Sequence, residues 1–314
     1  MVVYFRDLVE SESDWASYEV LLGKLAKFLE DCVKHLLNAY GIVEQAGAKD
    51  GKYHHATVTL LVRHVCEFID GVSVLAASGC SEPCKPLLRS AFEAKLGVCY
   101  ILEDDSERRA LAYQVAHAHS RIKFFRKMKE DEQAGKEFRK LIESDPLHGR
   151  IALPKEDWQS GIDTMRQLLA RTEYAPIEKE WQAMKKAKGH GEPKWFRLFG
   201  GPSSVRELAL QLKQVFCYEF LYRQWSTVVH AGGCLENIAA DKDGKPVVRP
   251  IRHPDGLQAI VSFAGTLCIE LSRLLVERYS PDQREAFVGE YVTNLRDRHL
   301  KISSKCDLIQ APWK

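Results

Sequence analysis

The chain has 314 residues, with 45 Lys and Arg against 43 Asp and Glu, a net charge of +2 and a pI near 8.0. That near-balance excludes a protein whose whole surface is a footprint for nucleic acid or membrane, so any anion site has to be a local patch. Hydrophobic residues make up 45% of the chain, enough for a sizeable core in one large helical domain or two smaller ones.

The first residues, Met1 to Leu8, lack a basic stretch followed by an apolar one, which argues against a signal peptide. The most apolar run, Leu257 to Ile269, is too short to span a bilayer and ends at Glu270. A soluble, cytoplasmic chain with no membrane partner is expected. The nine cysteines are expected to be reduced thiols in apolar helical surroundings. Cys80 and Cys84 are four apart, but no second Cys or His pair at zinc spacing accompanies them, so neither a metal nor another cofactor is expected.

In chain order, apolar positions recur at helical spacing from Asp14 to about Gln45, and again from His54 to about Ala77. Gly79 to Pro83 reads as a turn, with Ser81 as helix cap and Pro83 in the first turn. The third helix, Pro83 to about Leu102, is apolar almost all round and therefore central. It still carries Arg89 and Glu93 four apart, and charges on a central helix require partners. Ser106 opens a fourth helix to about Glu132, with Arg121, Lys123, Arg126, Lys127 and Lys129 as a basic stripe whose simplest reading is a solvated face. Shorter helices follow at 137–143, 155–171 and about 174–189, with a turn at 146–149. Gly189 to Pro202 is the main linker; Trp195, Phe196 and Phe199 predict that it packs as an aromatic plug.

Ser204 and Glu207 form a capping box for a long helix that ends at Gly232 or Gly233. Asp243-Gly244 predicts a small hairpin after it, from which Arg249, Arg252 and His253 would return toward the end of that helix. The last two helices are expected at 255–278 and 281–295. With no sustained alternation, the fold class is all-α: a multi-helix bundle in a single domain spanning 1–314, with core helices at about 14–132 and 203–297 and a charged helical insertion at about 133–202.

The helix after Ser204 carries the chemistry. Arg223 and His230 are seven apart and share a helical face, with Ser226 and Thr227 between them and Glu219 one turn before Arg223. A planar guanidinium suits a phosphodiester, and imidazole moves protons near neutral pH. The bland alternative is an Arg paired with Glu219 and a His that is only a satisfied core residue.

The stretches from Leu87 to Ala94 with Tyr100-Ile101, and from Tyr222 to Gly232, resemble the paired hallmarks of a bacterial all-helical family of unassigned function. The Arg-x6-His spacing with a polar residue after the Arg is similar to the signature of the HEPN superfamily, whose members include metal-independent ribonucleases of toxin–antitoxin and phage-defence systems, and non-catalytic nucleotide- or RNA-binding proteins. The resemblance implies a HEPN-like core and an endoribonuclease, a toxin or phage-defence effector, that cleaves RNA through attack of the 2′-hydroxyl. In it Arg223, His230, Glu93, Arg89 and Ser226 would act in catalysis, while Gln224, Thr227, Tyr222, Arg249 and Arg252 would hold substrate. It implies RNA or a nucleotide as ligand, a homodimer whose motifs meet at the interface, and an antitoxin or accessory protein as partner. HEPN domains are shorter than this chain, so the middle insertion has to be accommodated. A binding module without turnover and a structural interaction protein are the alternatives. Arg89, Glu93, Arg223 and His230 are expected to converge in one polar cluster.

Overall fold

The computed structural model describes residues 4–9, 12–147, 157–188, 191–229, 233–240 and 243–304. Helices dominate it: α1 (Glu12–Asp50), α2 (Tyr53–Ala77), α3 (Ser81–Glu103), α4 (Ser106–Met128), α5 (Gln133–Ile142), α6 (Trp158–Leu169), α7 (Ala175–Lys188), α8 (Val205–Gln211), α9 (Val215–Cys217), α10 (Arg223–Val229), α11 (Leu257–Tyr279), α12 (Arg284–Asn294) and α13 (Arg296–Ile302). Strands β1 (Ile238–Ala240) and β2 (Pro246–Val248) form the expected antiparallel hairpin, in register Ile238 to Val248. Gly244 takes the positive φ that its turn requires. The chain divides into two compact units, 1–104 with 205–314, and 105–204. The second unit takes in the stretch read as an insertion from 133, and begins earlier, with α4.

In the first unit, α1, α2, α3 and α11 pack against one another. Phe28, Leu29, Cys32 and Leu36 of α1, Val62, Val65 and Ile69 of α2, Leu88 and Leu96 of α3, and Cys268 and Leu271 of α11 are all fully buried. Each such aliphatic or aromatic side chain contributes about 1.5–3 kcal/mol relative to exposure. By length and composition α11 could cross a membrane, since the apolar pattern runs past Glu270 to Tyr279. Here its apolar face packs on α1, α2 and α3 instead. Gly51 and Gly79 close α1 and the turn after α2 with the positive φ favoured by glycine. Ser81 does not cap α3. Cys80 holds the cap position, and the Ser81 hydroxyl donates to the His253 carbonyl at 3.0 Å.

The Cys84 thiol donates to the Cys80 carbonyl at 3.0 Å, the ordinary back-bond of a helical cysteine. Burial pushes the thiols of Cys32, Cys66 and Cys84 up to about 12 and that of Cys99 up to about 11, so these four are unreactive at neutral pH.

The second unit has its own core of Leu111, Val115, Tyr174, Ile177, Trp181 and Leu198. The linker forms a 3-10 segment, Trp195–Gly200, in which Phe196 is buried and Leu198 joins this core while Phe199 stays exposed, so the expected plug is formed in part. The basic stripe of α4 is locally satisfied. Arg121 lies 4.4 Å from the Phe125 ring centroid, Lys123 is 3.6 Å from Glu192, Arg126 is 4.0 Å from Glu132, Lys127 sits over Phe138, and Lys129 donates to Gln159.

The approach of α11 to α1 depends on Gly265. A Cβ there would lie 2.6 Å from the ring of Phe28, which is itself wholly enclosed. Overpacking costs about 1–3 kcal/mol, against about 1 kcal/mol of helix propensity gained from Ala. Gly265→Ala is therefore expected to lower the urea midpoint of the full chain. Gly23→Ala, at an exposed α1 position with nothing within 4 Å, is expected to raise it by the propensity alone. Equal shifts of the two midpoints would contradict the packing described for Gly265.

Candidate functional site

The long helix expected from Ser204 is interrupted. Helix α8 ends in a Schellman-type turn: the N–H of Gln214 donates to the Ala209 carbonyl at 2.7 Å and that of Lys213 to Leu210 at 3.1 Å, with Lys213 at φ 57. Lys95 of α3, only 3% exposed, donates to the Gln214 side chain at 3.3 Å and pairs with Glu270 of α11. The helix restarts as α9, passes through a π-helical turn over Tyr218–Tyr222, and continues as α10. A π turn takes up an extra residue relative to α geometry, so it rotates α10 relative to the residues before it.

That rotation sets which residues meet α3. Tyr222 and Ser226, four apart, face it. The Arg89 guanidinium donates to Ser226 Oγ at 2.7 Å and to Tyr222 Oη at 3.0 Å, and lies 4.4 Å from the Tyr222 ring centroid. Tyr222 Oη donates to Glu93 Oε1 at 2.6 Å, and Arg89 Nε is 3.5 Å from the same carboxylate. Trp225 packs edge-on against Phe263 of α11 with centroids 5.5 Å apart, and Tyr222 is 6.1 Å from Phe92. The charged pair of α3 thus finds its partners in a phenol and a hydroxyl.

Arg223 is not among them. Its side chain is 73% exposed and donates to Glu219 at 3.1 Å. Glu219 also accepts from Arg206 of α8 at 2.9 Å, and these two bonds, Arg206 first, hold its carboxyl below the usual range. Gln224 and Thr227 are exposed beside Arg223, with the Thr227 hydroxyl donating to the Gln224 carbonyl at 2.6 Å. The expected four-residue convergence is therefore replaced by two groups on two faces of one helix: Arg89, Glu93, Tyr222 and Ser226 inside, and Arg223, Gln224 and Thr227 outside. His230 and Gly232 lie outside the described residues.

Arg249 and Arg252 contact other groups. Arg249 approaches Asp255 at 3.9 Å. Arg252 lies 5.6 Å from the Tyr4 ring centroid. His253 is buried, and desolvation first of all lowers its pKa.

The inner cluster does not act as an acid–base pair near neutrality. Burial, and then the bond to Glu93, raise the Tyr222 phenol to about 12 from its ordinary 10.0, so it stays protonated. Sequence reasoning missed Lys95, whose signal was a further cation on the central helix that already carries Arg89 and Glu93, and it missed the α8 break, since the left-handed residue that closes α8 is a lysine.

Because the folded state holds the Tyr222 proton more tightly than the unfolded chain, its contribution is complete below about pH 10 and declines as pH rises toward 12. Ultraviolet titration of the full chain, with Tyr222→Phe subtracted, is expected to show one phenol titrating near 12. Tyr222→Phe is also expected to lose about 0.5–1.5 kcal/mol, the net contribution of a typical hydrogen bond, because Glu93 and Arg89 keep some water. A difference curve centred at 10 would contradict the enclosure of this hydroxyl.

A family model described as "Family of unknown function (DUF5677)" matches residues 55–246, more than half of the chain and inclusive of α2, α3, the inner cluster and α10. No curated protein and no solved structure matches.

Proposed function

The chain belongs to this family of unknown function (DUF5677), and we propose that its α9–α10 helix is the RNA-handling element of a metal-independent endoribonuclease with a HEPN-like core, acting as a toxin or phage-defence effector. The observation that carries the reading is the division of labour on that helix. Tyr222 and Ser226 fix its rotation on α3, and this leaves the Arg223 guanidinium 73% exposed and, among the described residues, braced by Glu219. A cation held in this way can release a surface carboxylate and take a phosphate, because an exposed ion pair contributes little, about 0–1 kcal/mol.

In the proposed chemistry His230, seven residues further on, removes the proton from a ribose 2′-hydroxyl. The 2′-oxygen attacks the adjacent phosphorus, the 5′-oxygen leaves, and Arg223 carries the charge that develops on the phosphoryl oxygens. Arg89, Glu93 and Tyr222 position the helix and do not touch the substrate. The partners proposed with this activity are a second copy of the chain and an antitoxin or accessory protein.

One observation favours a second reading. The inner hydrogen bonds of Arg89, Glu93 and Tyr222 are closed on one another, which suits an RNA- or nucleotide-binding module without turnover. Pure protein incubated with total RNA in excess EDTA separates the two. Cleavage is expected to persist in EDTA, and to fall by about 10²–10⁴-fold in His230→Ala, the usual scale for an acid–base group. It is expected to be lost in Arg223→Ala and at a single 2′-deoxy position, which still binds. Binding without cleavage supports the module. Equal cutting of ribo- and deoxyribo-oligonucleotides overturns the mechanism.

A further inference from the structure

A cavity of about 550 Å³ opens in the first unit, away from the residues discussed so far except Arg252 and Tyr4. Tyr4, Arg6 and Asp7 of the N-terminal 3-10 turn, Trp15 and Glu19 of α1, and Arg252 line it, over a floor made by the end of α2 at Ser78. The segment after the hairpin builds its wall. Ile251 bridges to Tyr4, and the Arg252 carbonyl lies 3.0 Å from where a Cβ on Gly79 would stand. Arg252 itself takes a left-handed φ of 63, the conformation that costs a side-chain-bearing residue.

Its lining is specific. Two guanidinium groups are set over two aromatic rings: Arg6 is 5.3 Å from the Trp15 centroid and Arg252 is 5.6 Å from the Tyr4 centroid. Cation–π contacts of this length hold a guanidinium in place while leaving its N–H groups for an anion. The Arg6 pairing with Glu12 is long, at 3.7 Å, and lies between side chains 58% and 88% exposed, so it competes weakly. Asp7 is engaged with the Tyr4 N–H at 3.2 Å, while Glu19 is an exposed carboxylate on the rim.

We infer that this cavity binds a mononucleotide unit, with the phosphate held by the N–H edges of Arg6 and Arg252 and the base stacked on the outer face of a guanidinium whose inner face lies on Trp15 or Tyr4. The three chemical demands of such a ligand are each met. A base needs a planar face to stack on, and a guanidinium seated on a ring offers one. A phosphate needs guanidinium forks. The N–H edge of a base needs an acceptor, and Glu19 supplies it. The volume falls within the range of about 300–1,000 Å³ typical of small-molecule sites. A free mononucleotide and the 5′-phosphorylated end of an RNA carry the same chemistry, and both are probed.

The site is independent of the α10 chemistry, so the two readings fail separately. Isothermal titration of the full chain with AMP, GMP, CMP and UMP, with adenosine, and with a short RNA bearing or lacking a 5′-phosphate reads the affinity directly. At least one mononucleotide or the phosphorylated RNA is expected to bind, and removal of its phosphate to weaken binding about tenfold or more, the scale of one charge-assisted contact. Arg252→Gly removes the cation while relieving the left-handed backbone. It is expected to weaken binding by a similar factor with a melting temperature no lower than that of the wild type. Trp15→Leu is expected to weaken it again, and Arg223→Ala to bind the free mononucleotides as the wild type does. Free-nucleotide binding without preference for the RNA end marks a small-molecule site; the reverse marks an RNA-end site. A wild-type chain that binds neither at millimolar concentration, or binding unchanged in both Arg252→Gly and Trp15→Leu, overturns the inference.

Discussion

The Tyr222 hydroxyl, held between Glu93 and Arg89 of α3, is the contact on which the orientation of the α9–α10 helix depends. A helix that short has little intrinsic stability in water. Its rotation is set instead by what it can bury and by which polar groups it can satisfy. Trp225 supplies the apolar anchor, and Tyr222 with Ser226 supplies the polar one. Once those three point inward, Arg223 and Gln224 have to point outward, since neighbouring residues on a helix are about 100° apart. The exposure of Arg223 follows from the burial of Tyr222.

A neutral phenol suits that position better than a second charge would. Burying an ion pair costs desolvation that the pairing only partly returns. Glu93 is 46% exposed and Arg89 21%, so both keep some water, while the fully committed group is the uncharged one. The cluster is therefore better understood as a registration device than as a large source of stability. An apolar interface of the same size would hold α10 against α3 in more than one rotation, and the three directional hydrogen bonds to Arg89 and Glu93 remove that freedom.

The helices themselves were legible in the sequence. Apolar recurrence placed α1, α2, α3 and α11 to within a few residues, because each packs along one wide face and the 3.6-residue period is then the dominant signal. The hairpin was legible from Asp243-Gly244, and part of the linker plug from its aromatics. The phase of the motif helix was not. The α8 turn is closed by Lys213, where a glycine would have announced it, and the π turn at Tyr218–Tyr222 has no compositional mark at all. The expectation that Arg223 joins Arg89 and Glu93 came from the need to compensate charge on a central helix, and a phenol and a hydroxyl supply that compensation instead. The pairing of Arg223 with Glu219 needed only local spacing, and it was legible.

The same distinction governs the charges. Near-neutral composition suggested that any anion site would be local, and the α4 stripe shows why counting cations misleads: its members lie over rings or against nearby carboxylates and amides. What distinguishes a cation available to a ligand is the weakness of its present partner. Arg223 is braced by the half-buried Glu219 carboxylate that Arg206 already shares, and Arg6 and Arg252 lie over ring faces, with Arg6 also in a long pairing with Glu12. Lys95 is the opposite case, enclosed and bound to Glu270 and Gln214, where it ties the α8 break to the core. Because that tie fixes where the helix restarts, and the π turn then fixes its rotation, a buried lysine on α3 helps determine which face of α10 meets solvent.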